Sequence, residues 1–91
     1  MNGALPGEDL IEAGVKDLLE GRESIEALLV AIGAPRLKRL DIYLPETLPK
    51  NPEHRLYDLL ARDKPDSAHG RYNSLIRRLV SYERAAACVR K

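Results

Sequence analysis

The chain has no tryptophan, no phenylalanine and a single cysteine, Cys88. One thiol excludes an internal disulfide framework and a cysteine-rich zinc site. Neither His54 nor His69 stands at a metal-ligand spacing from an acid or from Cys88. No apolar run nears the roughly 18 residues of a membrane helix. The opening Met1-Asn2-Gly3-Ala4-Leu5-Pro6-Gly7 has neither a basic n-region nor an apolar core, so it does not read as a secretory signal. A lone free thiol and the absence of such a signal make the cytoplasm the expected compartment, and the brevity of the chain suggests a bacterial source. Phosphate-cradling glycine loops, serine nucleophile elbows and paired carboxylates for acid–base work are also missing. No cofactor or metal is expected.

What remains is ordinary globular composition. Hydrophobic residues make up 44% and charged residues 32% of 91 positions, which argues against wholesale disorder. A chain of this size can bury about 64% of its extended surface, enough for one small core and no more. The net charge of +1 hides a polarity: residues 1–33 carry seven acids and two bases, residues 67–91 six bases and one acid. Such a split serves pairing within the fold or binding to a partner.

The apolar spacing predicts an all-α fold: a compact single-domain bundle of four main helices plus one short helix, with a Pro-rich packed loop over residues 41–52. Residues 1–7 read as a flexible N-terminal arm, because Gly3, Pro6 and Gly7 break helix, and residues 8–91 as the single helical domain. The first helix is expected from Glu8 to Glu20, with Leu10, Ile11, Val15, Leu18 and Leu19 as its apolar set and Gly21 at its end. Ser24 suits the N-cap of the second, whose stripe is Ile25, Leu28, Leu29 and Ile32 and whose stop is Gly33. Pro35 fits the first turn of a short helix carrying Leu37 and Leu40 inward. Pro45, Pro49 and Pro52 forbid helix through the following loop. Asn51, Pro52 and Glu53 then start a helix with Leu56, Leu59 and Leu60 inside and Tyr57 beside them. Asp66 or Ser67 caps the last helix, which extends to Val89 and buries Tyr72, Leu75, Ile76, Leu79, Tyr82 and Ala86. Gly70 weakens its first turns by about 1 kcal/mol relative to alanine.

Three features bear on function. Residues 24–42 have the outline of a helix-turn-helix, with Gly33 in the turn and Arg36, Lys38 and Arg39 on the second helix. Against this, Leu29 stands where a small residue is normally needed, Arg39 stands where an apolar one is, and Pro45 keeps the second helix short. An ordinary bundle corner has the same outline. The last helix carries a basic ridge, Arg71, Arg77, Arg78 and Arg84, that can grip phosphate or a carboxylate-bearing partner. A solvated face paired with the acids of the first helix explains it equally. Tyr72 and Tyr82 point inward in this reading, so the stacking platform of a single-strand binder is missing. Lastly, Glu83 falls on the apolar side of its helix. A catalytic carboxyl of raised pKa is one reading. The other, which is favoured, is a structural ion pair with an arginine of another helix, Arg55, Arg62 or Arg36. In that pair Glu83→Gln is expected to lower stability. Cys88 and His69 cannot form a dyad, since some 30 Å of helix separates them.

The expectation is therefore a non-enzymatic small helical protein acting by protein–protein interaction or self-association, with Arg71, Arg77, Arg78 and Arg84 as candidate binding surface. The alternative is nucleic-acid binding through Arg36, Lys38 and Arg39 of the helix-turn-helix-like unit, or through the basic last helix. The partner is a protein or a second copy, with nucleic acid as the alternative and no membrane.

Overall fold

Five helical stretches form in the computed structural model, which describes residues 5–89: α1 Glu8–Leu19, α2 Ile25–Ile32, α3 Ala34–Arg39, α4 Pro52–Asp63 and α5 Ala68–Val89. A single 3₁₀ turn, Pro65–Ser67, leads into α5. There is no strand among the described residues, and the fold is the expected all-α bundle. Its radius of gyration, 13.0 Å, is that of a well-packed domain of about 100 residues. Residues 1–4 of the expected arm lie outside the described residues, as do Arg90 and Lys91. Leu5 is held by a bond from its amide to Glu8 Oε1 (3.1 Å) and by one from the Glu8 amide to its carbonyl (3.0 Å).

α2 is the centre of the molecule. Ala27, Leu28, Leu29 and Val30 are fully buried, and α1, α4 and α5 all pack on this eight-residue helix. The spacing of its apolar residues indicates a one-sided stripe, yet it is buried on nearly every side because three helices surround it. Ser24 Oγ accepts the Ala27 amide (3.0 Å) as the expected N-cap and donates to Asp17 Oδ2 (2.6 Å), tying α2 to the end of α1. Helix α1 lies unusually close to α2 because Gly14 faces it. A Cβ on Gly14 would overlap the Glu26 carbonyl oxygen and Val30 Cγ2 and stand 2.8 Å from the Glu26 carbonyl carbon.

Around this helix the core gathers Ile11, Leu37, Leu44, Leu56, Leu60, Ala68 and Leu79. Ile32, Leu75, Ile76, Leu59, Tyr72 and Tyr82 pack against it half-buried. The loop over residues 41–52 straps onto the core through Leu44, buried, and Ile42 and Leu48, half-buried. It enters and leaves through Asp41 (φ 64°) and Asn51 (φ 51°), two residue types that tolerate the left-handed region. Asn51 occupies the N-cap position of α4, but its side chain makes no capping bond.

One expected core residue lies outside. Leu19 is 50% exposed, because Ile11, Gly14 and Leu18 take the face toward α2 and Leu19 stands about 80° around the helix from Ile11. Tyr57 is also exposed, its ring tilted at 56° on Tyr72 with 5.8 Å between centroids. Tyr72 is itself half-buried, and its hydroxyl is raised above the usual phenol range by burial and by the Glu53 carboxylate.

Candidate functional site

Gly33 is the pivot of the α2–α3 corner. It has an ordinary negative φ of −88°, so the chain uses glycine here for space and not for a left-handed turn. A Cβ at this position would stand 2.7 Å from Glu83 Oε2 and 2.9 Å from Leu79 Cδ1. α5 therefore lies directly on the corner and brings Glu83 to the side of α3.

Glu83 is 7% exposed, as its position on the apolar side of the helix indicated. Its Oε1 accepts a bond from Arg36 Nη1 at 3.3 Å. Its Oε2 is buried and has no hydrogen-bond partner. Of the three arginines considered as partners, Arg36 is the one that reaches it; Arg55 pairs instead with Glu23 at 3.0 Å. The Arg36 side chain remains 70% exposed, so the pair joins a buried anion to a solvated cation.

Beside this pair, α3 and the second half of α5 enclose an open groove of about 460 Å³. Leu40, Val80 and Ala87 form its apolar floor, Glu83 its inner wall, and Arg36, Arg39 and Arg84 its rim. The two sets of basic residues singled out in the sequence meet here in part. Arg84 belongs to the ridge of the last helix and Arg36 and Arg39 to the short helix, 45 or more positions away.

The other basic residues do not join them. Arg71 pairs with Asp63 at 2.9 Å, across the α4–α5 turn. Arg78 reaches Asp9 of α1 at 3.8 Å, an exposed and long pair, so pairing between the acidic start and the basic end occurs at this one arginine of the ridge. Arg77, Arg84, Lys38 and Arg39 are exposed and make no ion pair with any described residue. The ridge is thus divided into two engaged arginines and two open ones. The unit over residues 24–42 has a turn of one residue, Gly33, and a second helix of six residues. Six residues make that helix about 9 Å long.

A second groove, of about 490 Å³, lies between α1 and α5 over Ile42. Its walls are Ile11, Val15, Leu19 and Tyr82, and Glu12, Lys16 and Glu20 edge it. The Tyr82 hydroxyl is raised above the usual phenol range by burial first and then by the carboxylates of Glu8 and Glu12. Sequence reasoning placed Leu19 and Tyr82 in the core and so missed this groove; the run of Glu12, Lys16 and Glu20 at four-residue intervals beside Val15 and Leu19 was its signal.

Among the described residues no three His, Cys, Asp or Glu side chains stand close enough to share a metal ion, and no helix is long and apolar enough to cross a membrane. His54 faces Asp58 at 3.4 Å on the outside of α4, and Cys88 is an exposed free thiol. No family model, curated protein or solved structure matches the chain.

Proposed function

We propose that this chain is a non-enzymatic protein-binding module of the cytoplasm, and that its contact surface is the groove between α3 and α5. The observation that carries the reading is the convergence of Arg36, Arg39 and Arg84, from two separate elements, around the apolar floor of Leu40, Val80 and Ala87. Arginine is favoured at protein interfaces because its planar fork bonds carboxylates in pairs and its stem packs on apolar surface. An apolar floor with a basic rim suits an acidic protein segment that brings apolar side chains with it. A solvent-exposed free thiol at Cys88 fits a reducing compartment.

The test is affinity capture from the native host with and without nuclease, comparing the natural chain with the Arg39→Glu, Arg84→Glu double variant. A defined set of proteins retained by the natural chain after nuclease, and lost by the variant, is the expected result. Identical capture by both chains removes the groove from the interface.

A second reading rests on Arg77 and Arg84, which are open and unpaired among the described residues. They offer two phosphate contacts on one helix. With a net charge of +1 and Arg71 and Arg78 already engaged, duplex binding is expected to stay at the nonspecific level, with Kd about 10⁻⁴–10⁻⁶ M at physiological salt. Nanomolar binding that the Arg77→Ala, Arg84→Ala double variant abolishes would replace the protein-binding reading with this one.

A further inference from the structure

The basic groove does not stop at Glu83. A second cleft, of about 330 Å³, continues along α5 toward the α2–α3 corner, with Ile32, Gly33, Pro35, Ile76 and Leu79 around it. Arg36, Val80 and Glu83 line both. Ile76, Val80, Glu83 and Ala87 lie on successive turns of α5, so the two clefts form one trough about 16 Å long, room for about five residues of extended chain. Charge is unevenly spread along it. Arg39 and Arg84 stand at the Ala87 end and pair with no described residue. Among the described residues the Ile76 end adds no charged side chain to the shared Arg36 and Glu83. In the middle lies the Glu83 carboxylate. Its Oε1 is held by a single bond from Arg36 at 3.3 Å, and its buried Oε2 has no hydrogen-bond partner. A buried acceptor without a donor is costly, and an N–H group relieves it.

We infer that the segment received by this trough is the C-terminal end of a partner chain, with an aliphatic last residue. This rests on the protein-binding reading above and names the part of the partner that enters. A terminal residue carries a carboxylate, a backbone N–H and a side chain on one Cα, and the trough has a counterpart for each. The carboxylate lies between Arg39 and Arg84, the side chain covers Leu40, Val80 and Ala87, and the N–H donates to Glu83. Entry of that donor requires Arg36 or the Glu83 side chain to turn. One 3.3 Å bond to a guanidinium that is 70% exposed is little to break. The preceding residues leave along the Ile76 end, whose apolar walls match no further charge. A segment with acidic side chains throughout fits less well. It would carry carboxylates past Glu83 to an end where Arg36 is the one cation and already serves Glu83.

The test pans the full chain against a pool of random heptapeptides with free C-termini and against the same pool with amidated C-termini. Enrichment from the free-acid pool alone, with Leu, Ile or Val in the last position, is the expected result. Calorimetry then compares the enriched peptide on the natural chain and on variants that circular dichroism shows to be folded. Arg39→Glu/Arg84→Glu is expected to weaken binding by about tenfold or more, because the carboxylate loses both free guanidinium partners. Glu83→Gln is expected to weaken it several-fold, because a neutral acceptor replaces a charged one. Arg62→Glu, exposed on α4 away from the trough, is expected to bind as the natural chain does. Equal enrichment from the amidated pool overturns the inference, as does enrichment of internal acidic residues with no preference at the last position. Absence of enrichment from either pool overturns it too, and so does unchanged binding by Glu83→Gln. The broader reading is judged separately by the capture experiment. Host proteins lost by the groove variant keep the protein-binding reading while a chain end is rejected as occupant. Identical capture by both chains, together with a failed panning, rejects both.

Discussion

Glu83 and Arg36 meet at 3.3 Å across 47 positions of sequence, with the carboxylate almost fully buried and the guanidinium largely in water. The pair pins α3 to α5 and places the rim of the basic groove. Its asymmetry decides what happens when either partner is removed. A buried charge left alone is costly, whereas a solvated one is not.

Arg36→Ala is therefore expected to destabilise the fold by about 1–3 kcal/mol, because Glu83 then keeps a buried charge with neither oxygen paired. Glu83→Gln removes the buried charge and leaves behind only a solvated arginine, so its cost is expected to be smaller than that of Arg36→Ala. The simple expectation from sequence, that Glu83→Gln lowers stability, assumed a buried cation; the exposure of Arg36 changes the ranking. Urea denaturation of both variants gives the order, and a larger loss for Glu83→Gln would show that the carboxylate has further bonding in solution.

Gly14→Ala should be among the most damaging single-methyl changes in the chain. The added Cβ meets the Glu26 backbone carbonyl, which cannot swing aside as a side chain can. Overpacking of this kind costs about 1–3 kcal/mol. Thermal unfolding of Gly14→Ala within error of the natural chain would mean that α2 leaves room for a Cβ at position 14, against the overlap with the Glu26 carbonyl.

Gly70→Ala should have the opposite sign. Gly70 is exposed near the start of α5, and a Cβ there meets nothing within 4 Å. Alanine lowers the conformational entropy of the unfolded chain and is expected to stabilise by about 0.5–1 kcal/mol. A fall in Tm would indicate that the first turns of α5 need glycine.

Tyr82 makes stability depend on alkaline pH. Its hydroxyl is raised in the folded state by burial and by Glu8 and Glu12, so the fold favours the neutral phenol. The resulting stabilisation is fully present below the ordinary value of 10.0 and is lost as pH rises through the higher folded value. Tyr82→Phe has no such proton to lose. The stability difference between the natural chain and Tyr82→Phe is expected to be constant up to about pH 9 and to shift in favour of Tyr82→Phe above pH 10. A difference that stays flat through this range would place the hydroxyl in free solvent.

The helices were legible because each carries a local signal: Ser24 before α2, Pro52 after Asn51, Gly33 between α2 and α3. The burial of Glu83 was legible from its angle on α5, since a helix wheel needs only one residue that is out of place. Its partner was not, because three arginines stood within reach in sequence terms and only the corner at Gly33 selects Arg36. The basic groove was half legible. Arg84 and Arg36 were each singled out, but no local signal joins positions 36 and 84; they meet only because Gly33 lets α5 close on the corner. The exposure of Leu19 was hidden by its good helical spacing, for the width of the buried face of α1 is set by Gly14 and the approach of α2.

The most direct measurement is a titration of the ¹H–¹⁵N amide spectrum of the natural chain with the protein retained in the nuclease-treated capture. Binding through the basic groove predicts shifts at Arg36 to Leu40 and at Val80 to Ala87, suppressed by added salt. Shifts confined to other surfaces would contradict it.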